Sequence, residues 1–481
     1  MKFVSILILA LTLGLGACAI NPVTGERDFA MVSEAEEIEQ GRRYHQEIIA
    51  TYGVYDNPAL QQYVNRIGQE LASKSHRAHL KFTFTVLDSP DINAFALPGG
   101  YIYITRGIMA YFNSEAELAG VLGHEIGHVT ARHSVRQQAG QFASNLLSVL
   151  ITVTTGEQAL GNLSQQLSTG LVRGYGRDHE LEADRLGAEY LHTAGYDPEN
   201  MLEVIGVLKD QEVYEKALAE KEKRPANIYH GVFSTHPRND DRLKTVVRAA
   251  KKLSARTYRD NNQAGYEGMI DGMAWGSSLK QGIVANNRFS HPELAIDLQL
   301  PNGWKVNNNP QFLQARNSAT GALVQIGVTS LNKDESLQGL LQRLTKNKKL
   351  KVSKENYGVT ASTLARSSDG DTQPARISAI ELDNSQALTL FGTSAGDHFA
   401  DTDRQLLDIN KSFRHLNQAQ IDAIKAPRLK IVQRNVQSFA ALARQSALEY
   451  EAINTLRLLN RAFPSGDITA LDRLKTITID D

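Results

Sequence analysis

Two histidines and a glutamate stand within five positions of the stretch GVLGHEIGHVTARH, residues 120–133. Neutral imidazole suits Zn2+, and a carboxylate beside the first histidine can take a proton from water, so H-E-x-x-H on a helix reads as metal-assisted peptide hydrolysis. His124 and His128 lie one turn apart and project from nearly one side, which fills two corners of a tetrahedron. Glu125 is the general base in this reading. A catalytic zinc needs a third protein ligand and an open fourth position. The stretch GRDHELEADRLGAEYL, 176–191, offers acids at helical spacing. Glu180 and Asp184 share a face, whereas Glu182 is turned about 200° from Glu180. Spacing therefore favours Glu180 as third ligand to one Zn2+ per chain, with Asp184 orienting a ligand histidine from behind. Taken without the histidine motif, these acids would read as ordinary helix-surface charges. His133 and His179 are expected to point elsewhere on their helices, and His76 and His79 to lie in a solvated loop.

The elements that must position these residues are legible in part. Ser114 with Glu117 three residues later is a capping-box signature, and Leu118, Val121, Leu122, Ile126 and Val129 form a buried stripe at helical spacing. Residues 33–74 read as two helices, KFTFTVLDS (81–89) and YIYIT (101–105) as strands, and 114 to about 255 as mainly helical. FASNLLSVLITVTT, 142–155, is too short to span a bilayer and reads as a buried helix. Residues 256–290, rich in Gly and Asn, read as a connector. From 291 to 415, short alternating runs such as ALVQIGVTS predict a β-rich accessory domain. Residues 427–481 predict a strand, two amphipathic helices and a closing strand. The fold class expected is α+β multidomain, with a mainly helical catalytic domain carrying a small edge-stranded sheet. Trp275 and Trp304 are expected to serve packing.

Composition narrows the setting. Of 481 residues, 42% are hydrophobic and 22% charged, and 52 basic against 53 acidic side chains leave a net charge of −1. That balance offers no global attraction to nucleic acid, which is excluded as a partner class. The start, MKFVSILILALTLGLGAC, has the basic, apolar and small-residue regions of a secretory signal over 1–17. Leu15, Gly16, Ala17 and Cys18 resemble a bacterial lipobox, which implies lipidation of Cys18 and a tether over 18–29. Cys18 is the only cysteine, so an internal disulfide is impossible. Ala19, rather than Asp, implies sorting to the outer membrane. The expectation is a periplasmic lipoprotein.

HEIGH followed some fifty residues later by HELEADRLG resembles the M48 family of zinc metallopeptidases, over roughly 30–255. NAFALPGGYIYITRGIM, 93–109, resembles that family's edge strand beside the metal, which implies that Asn93, Gly99, Gly100 and Tyr101 border an extended substrate. STHPRNDDRL, 234–243, resembles the family element carrying His236 and Arg242 toward the site. His236 would be an oxyanion donor or a fourth, inhibitory zinc ligand; the sequence leaves both open. INPVTGERDF, 20–29, resembles the segment after the lipidated cysteine of tethered members. FSHPELAIDLQLPNGWKV, 289–306, resembles the module that follows the peptidase in longer ones. Residues 427–481 resemble a degenerate LysM fold, with Gln437 and Ser438 where G-D-T is usual.

The function expected is a zinc-dependent endopeptidase of the bacterial envelope acting on misfolded or unassembled polypeptides. The alternatives are a non-proteolytic chaperone or assembly factor and a peptidoglycan-associated accessory protein. Partners expected besides substrate are the membrane, through the lipid anchor, and peptidoglycan or outer-membrane assembly components.

Overall fold

A computed structural model describes residues 18–20, 27–29, 32–137, 177–223, 240–252, 257–308, 312–366 and 372–479, together with Val23, Gly25 and Ala226. The stretch 142–155 lies outside them. The chain forms two compact units. The first is built mainly from Val54–Met273, with the stretch up to Ile49 and with Leu429–Thr478; the second mainly from Ala274–Arg428. The fold is α+β. Among the described residues no helix is long and apolar enough to cross a membrane.

In the first unit, a short hairpin pairs β1 (Cys18–Ile20) with β2 (Arg27–Phe29). Helices α1 (Glu34–Tyr52) and α2 (Pro58–Ala72) follow. Asn57 starts α2 by accepting from the Leu60 N–H, and Pro58 at its first position loses no helical donor. A three-stranded sheet then runs in the order β3 (Thr83–Leu87), β5 (Tyr101–Thr105), β4 (Ala94–Leu97). β5 is parallel to β3 and antiparallel to β4, with Leu97 opposite Tyr101. The turn between β4 and β5, Pro98–Gly100, puts Gly99 at φ 76° and Gly100 at φ 95°, where a Cβ would be strained.

α3 (Glu115–Thr130) carries H-E-x-x-H and is buried along its whole length, not only on one stripe. It packs against α4 (Arg177–Ala194) and α5 (Asn200–Lys221), and β4 lies beside it. α6 (Asp240–Lys251) and α7 (Gln263–Ile270) complete the helical layer. α7 falls inside the stretch read as connector. Eight residues without a marked apolar period give little sign of themselves in sequence.

The C-terminal segment forms a strand (Arg428–Gln433), two helices (Phe439–Gln445 and Ala452–Leu459) and a closing strand (Arg473–Thr478) paired with the first. It folds with the first unit. Arg461 pairs with Glu117 and donates to the Glu203 carbonyl (2.7 Å), and the buried Lys475 Nζ donates to the Ala110 (2.9 Å) and Phe112 (2.5 Å) carbonyls.

The second unit is β-rich. Its seven-stranded sheet is antiparallel throughout and centred on Gln386–Thr393, with Leu337–Leu344 and Phe399–Lys411 packed on it. A four-stranded sheet begins at Ile283, earlier than the texture of the sequence suggests. One core cluster of this unit draws on both sheets and includes Trp304, Leu298, Val324 and Leu390.

Candidate metal centre

α3 is held at both ends by buried charge. At its start Ser114 Oγ accepts the Glu117 N–H (3.2 Å), but Glu117 reaches back to the Asn113 N–H (3.0 Å) rather than to Ser114, so the reciprocal half of the capping box is absent. Its carboxylate is drawn instead to Arg461 of the C-terminal segment. Glu115 accepts from Tyr196 Oη (2.6 Å), Asn262 Nδ2 (2.8 Å), Tyr63 Oη (2.8 Å) and Arg66 (3.0 Å). Burial raises the Glu115 pKa, but these donors outweigh it and leave it lowered, an anion on the positive end of the helix. At the other end Arg77, fully buried, donates to Glu37 (2.8 Å), Glu34 (2.7 Å) and the carbonyl of Val129 (3.0 Å). Arg132 joins Glu37 at 2.9 Å. Two guanidinium and two carboxylate groups thus balance while satisfying a terminal carbonyl of α3.

Glycine sets the distance between α3 and α4. A Cβ on Gly187 would lie 2.9 Å from the His124 nitrogen, and one on Gly127 would lie 2.8 Å from the Ala183 carbonyl oxygen. The two backbones touch where side chains would otherwise separate them. That approach brings Glu180 to the histidines.

His124 Nε2 and His128 Nε2 face each other at 2.9 Å, and the Glu180 carboxylate lies 3.4 Å from the first and 3.7 Å from the second. These three residues form a buried group able to hold a metal ion. Zinc–nitrogen bonds of about 2.0–2.1 Å at near-tetrahedral angles put donor atoms about 3.4 Å apart, so a small ring rotation seats the ion. Behind the ligands, His124 Nδ1 lies 2.9 Å from Asp184 Oδ1. Burial disfavours a charge on His124, but the Asp184 and Glu180 carboxylates overcome it and hold its pKa up at about 10. The pocket attracts a cation. His128 is pushed well below the usual range by burial and by the neighbouring rings, so it stays neutral as a ligand must. Glu125, 2% exposed, is raised to about 7 by burial, against the pull of His124. A carboxylate with that proton affinity can both take and return a proton near neutral pH.

Other expected residues fare differently. His236 lies outside the described residues, as does the side chain of Arg242, whose backbone is in α6. Cys18 lies in β1, opposite Phe29, and its side chain lies outside the described residues. Tyr101 does not border a free edge. β5 is paired on both sides, because its parallel partner β3 covers the face that a lone hairpin would leave open. Gly99 and Gly100 are buried in the turn, with the Gly99 N–H 3.4 Å from Glu37 Oε1. The outer strands are β3 and β4, and Asn93 precedes β4, fastened through its N–H (3.1 Å) and carbonyl (2.9 Å) to Thr105 Oγ1.

Two residues missed in sequence stand next to the ligands. His133 Nδ1 lies 2.8 Å from His128 Nδ1, and its Nε2 lies 3.1 Å from Glu182 Oε2, which also accepts from Arg136 (2.7 Å). Helical-wheel arithmetic points His133 away. The helix has ended by then: Arg132 takes φ 55°, and the chain turns the ring back. His179 stacks on His133 at 4.4 Å. His76 bonds Tyr190 Oη at 2.8 Å, and the exposed His79 meets Glu34 at 3.1 Å.

Comparison with known proteins places this arrangement. Residues 58–250 match the profile described as Peptidase family M48. The chain is 30% identical over 242 residues to the beta-barrel assembly-enhancing protease of Yersinia pestis, covering 48% of this chain and 47% of that protein. It is 29% identical over 268 residues to the protein of that name in Escherichia coli K12, covering 52% and 53%. It is 30% identical over 217 residues to the mitochondrial metalloendopeptidase OMA1 of Arabidopsis thaliana, covering 45% and 41%. The chain spans about half the length of the curated relatives it matches. Residues 58–250 of this chain form a peptidase family M48 domain.

Proposed function

We propose that the chain is a zinc-dependent endopeptidase of the bacterial envelope that cleaves misfolded or unassembled proteins. The observation that carries this reading is the convergence of His124, His128 and Glu180 in a buried group beside Glu125. Zinc held by His124, His128 and Glu180 would supply Lewis acidity toward water and the scissile carbonyl. Glu125 takes the proton of the attacking water and passes it to the leaving amine. Asp184 accepts from His124 Nδ1–H and leaves Nε2 free to ligate. His236, which precedes α6 in the sequence, is the candidate oxyanion donor or fourth ligand, and Arg242 is a candidate to support it. An extended substrate would add to β4, the outer strand next to α3, through backbone hydrogen bonds that tolerate many sequences.

The setting follows from the start of the chain and from the relatives. Residues 1–17 serve as a signal, and Cys18 carries lipid that tethers the protein to the outer membrane from the periplasm. The name of the Yersinia and Escherichia relatives suggests that the substrates are envelope proteins awaiting assembly. The second unit and the LysM-like C-terminal segment would choose or hold these partners, with peptidoglycan one candidate for the latter.

Purified wild type and Glu125→Gln test the proposal. Both should contain one zinc, only the wild type should digest casein, and the variant should be slower by about 10²–10⁴-fold. A chelator should stop the wild type and added zinc restore it. Equal digestion by the variant would remove Glu125 from the chemistry.

A further inference from the structure

We propose that His133 and Glu182 are positioning residues for the metal centre, acting together to fix His128 in the tautomer whose Nε2 lone pair faces the metal. The inference rests on the zinc reading of the site given above.

A hydrogen bond between two Nδ1 atoms 2.8 Å apart needs one proton, which belongs to one ring. The far side of His133 decides which. Its Nε2 lies 3.1 Å from Glu182 Oε2, a carboxylate oxygen already engaged by Arg136, and an ionised carboxylate only accepts. His133 therefore carries its proton on Nε2 and presents a lone pair at Nδ1. The proton between the rings then sits on His128 Nδ1, and His128 Nε2 is left with the lone pair a metal requires. Were the order reversed, with both His133 nitrogens protonated, His128 would carry its own proton on Nε2 and could not ligate. The two ligand histidines are thus served by one logic at different lengths. His124 donates directly to Asp184 at 2.9 Å, and His128 donates to a carboxylate through an intervening ring. His133 is fully buried and stacked on His179, which holds its plane. Glu182 is the outer member, its side chain 17% exposed.

The test measures zinc affinity by competition with a chromogenic chelator, and the d–d spectrum of the Co2+-substituted full-length protein. His133→Phe keeps the ring volume but offers no acceptor; it should weaken zinc about 10–100-fold and shift the Co2+ bands. His133→Gln can accept from His128 Nδ1–H through its amide oxygen and should recover most of that loss. Glu182→Leu, at a side chain 17% exposed, should weaken zinc about tenfold. The relay is overturned if wild type binds zinc while folded His133→Phe and Glu182→Leu bind it as tightly with the wild-type Co2+ spectrum. It is also overturned if His133→Gln is no better than His133→Phe. If His133→Phe does not fold, Glu182→Leu decides alone by the same criterion. A wild type that binds no zinc, or a His128→Ala variant that binds as well as wild type, would instead sink the metal reading itself.

Discussion

Gly187→Ala is the most direct test of how this fold makes a metal site. The added methyl would meet the His124 nitrogen at 2.9 Å, the Gly123 carbonyl carbon at 3.1 Å and the His124 Cα at 3.2 Å. All three are backbone atoms, so no side chain can swing aside. Ordinary contact begins near 3.4 Å, and α3 and α4 must therefore part by about 0.5 Å. Overpacking of this kind costs about 1–3 kcal/mol, against which alanine's helix propensity returns up to about 1 kcal/mol. The metal suffers more than the fold, because ligand distances tolerate only about 0.2 Å and Glu180 arrives on the helix that is displaced. Zinc affinity should fall at least about tenfold, with faster amide exchange in peptides covering Glu115–Thr130. Gly206→Ala is the control: within α5 its nearest neighbour would be Arg461 at 4.0 Å, and it should gain about 0.5–1 kcal/mol without touching zinc. Trp275 and Trp304 both belong to the second unit, so intrinsic fluorescence is the wrong probe for these variants. A Gly187→Ala protein with wild-type zinc affinity and wild-type exchange would refute the idea that backbone contact sets the ligand spacing.

Arg461→Met should destabilise the first unit by about 3 kcal/mol, read as a lower urea midpoint by far-UV circular dichroism, because it strands the buried Glu117 carboxylate. Adding Glu117→Gln should recover much of that loss, since the amide oxygen still accepts the Asn113 N–H; unchanged instability in the double variant would assign the loss to Arg461 packing alone. Burial pushes the Lys475 ammonium down to about 7, well below its unfolded value of 10.5. Between those limits the unfolded chain binds the extra proton, so unfolding free energy should rise with pH from about 7 to 10.5, and Lys475→Met should flatten that slope in denaturant titrations.

The parts of the site that were readable share one property: they lie on continuous helix. His124, Glu125 and His128 fall within one turn of α3, and Glu180 with Asp184 within one turn of α4, so a fixed angle per residue sorts ligand from bystander. Where the helix stops, so does that arithmetic; His133 follows a left-handed Arg132, and no period foretells the return of its ring. Strand order was hidden for another reason. Alternation marks YIYIT as a strand, yet its parallel pairing with β3 is non-local and is encoded in packing rather than in either segment. The same holds for the close approach of α3 and α4. Gly127 and Gly187 look like weak points in two helices until each is seen against the other's backbone. Likewise Arg461 and Lys475 announce nothing in sequence, although the first fastens to the first turn of α3 and the second to the segment leading into it.

That last attachment bears on the order in which the protein is made. Glu117 and Arg461 are 344 positions apart, and Lys475 is 365 positions beyond Ala110, with the whole β-rich unit emerging between them. A nascent chain holds its H-E-x-x-H segment long before it holds the clasp that neutralises Glu117. Closing so long a loop waits on both of its ends, and contacts that distant in sequence form slowly. The order of synthesis thus parts the three residues that could hold a metal, all made by Glu180, from the residues that later tie down the start of their helix.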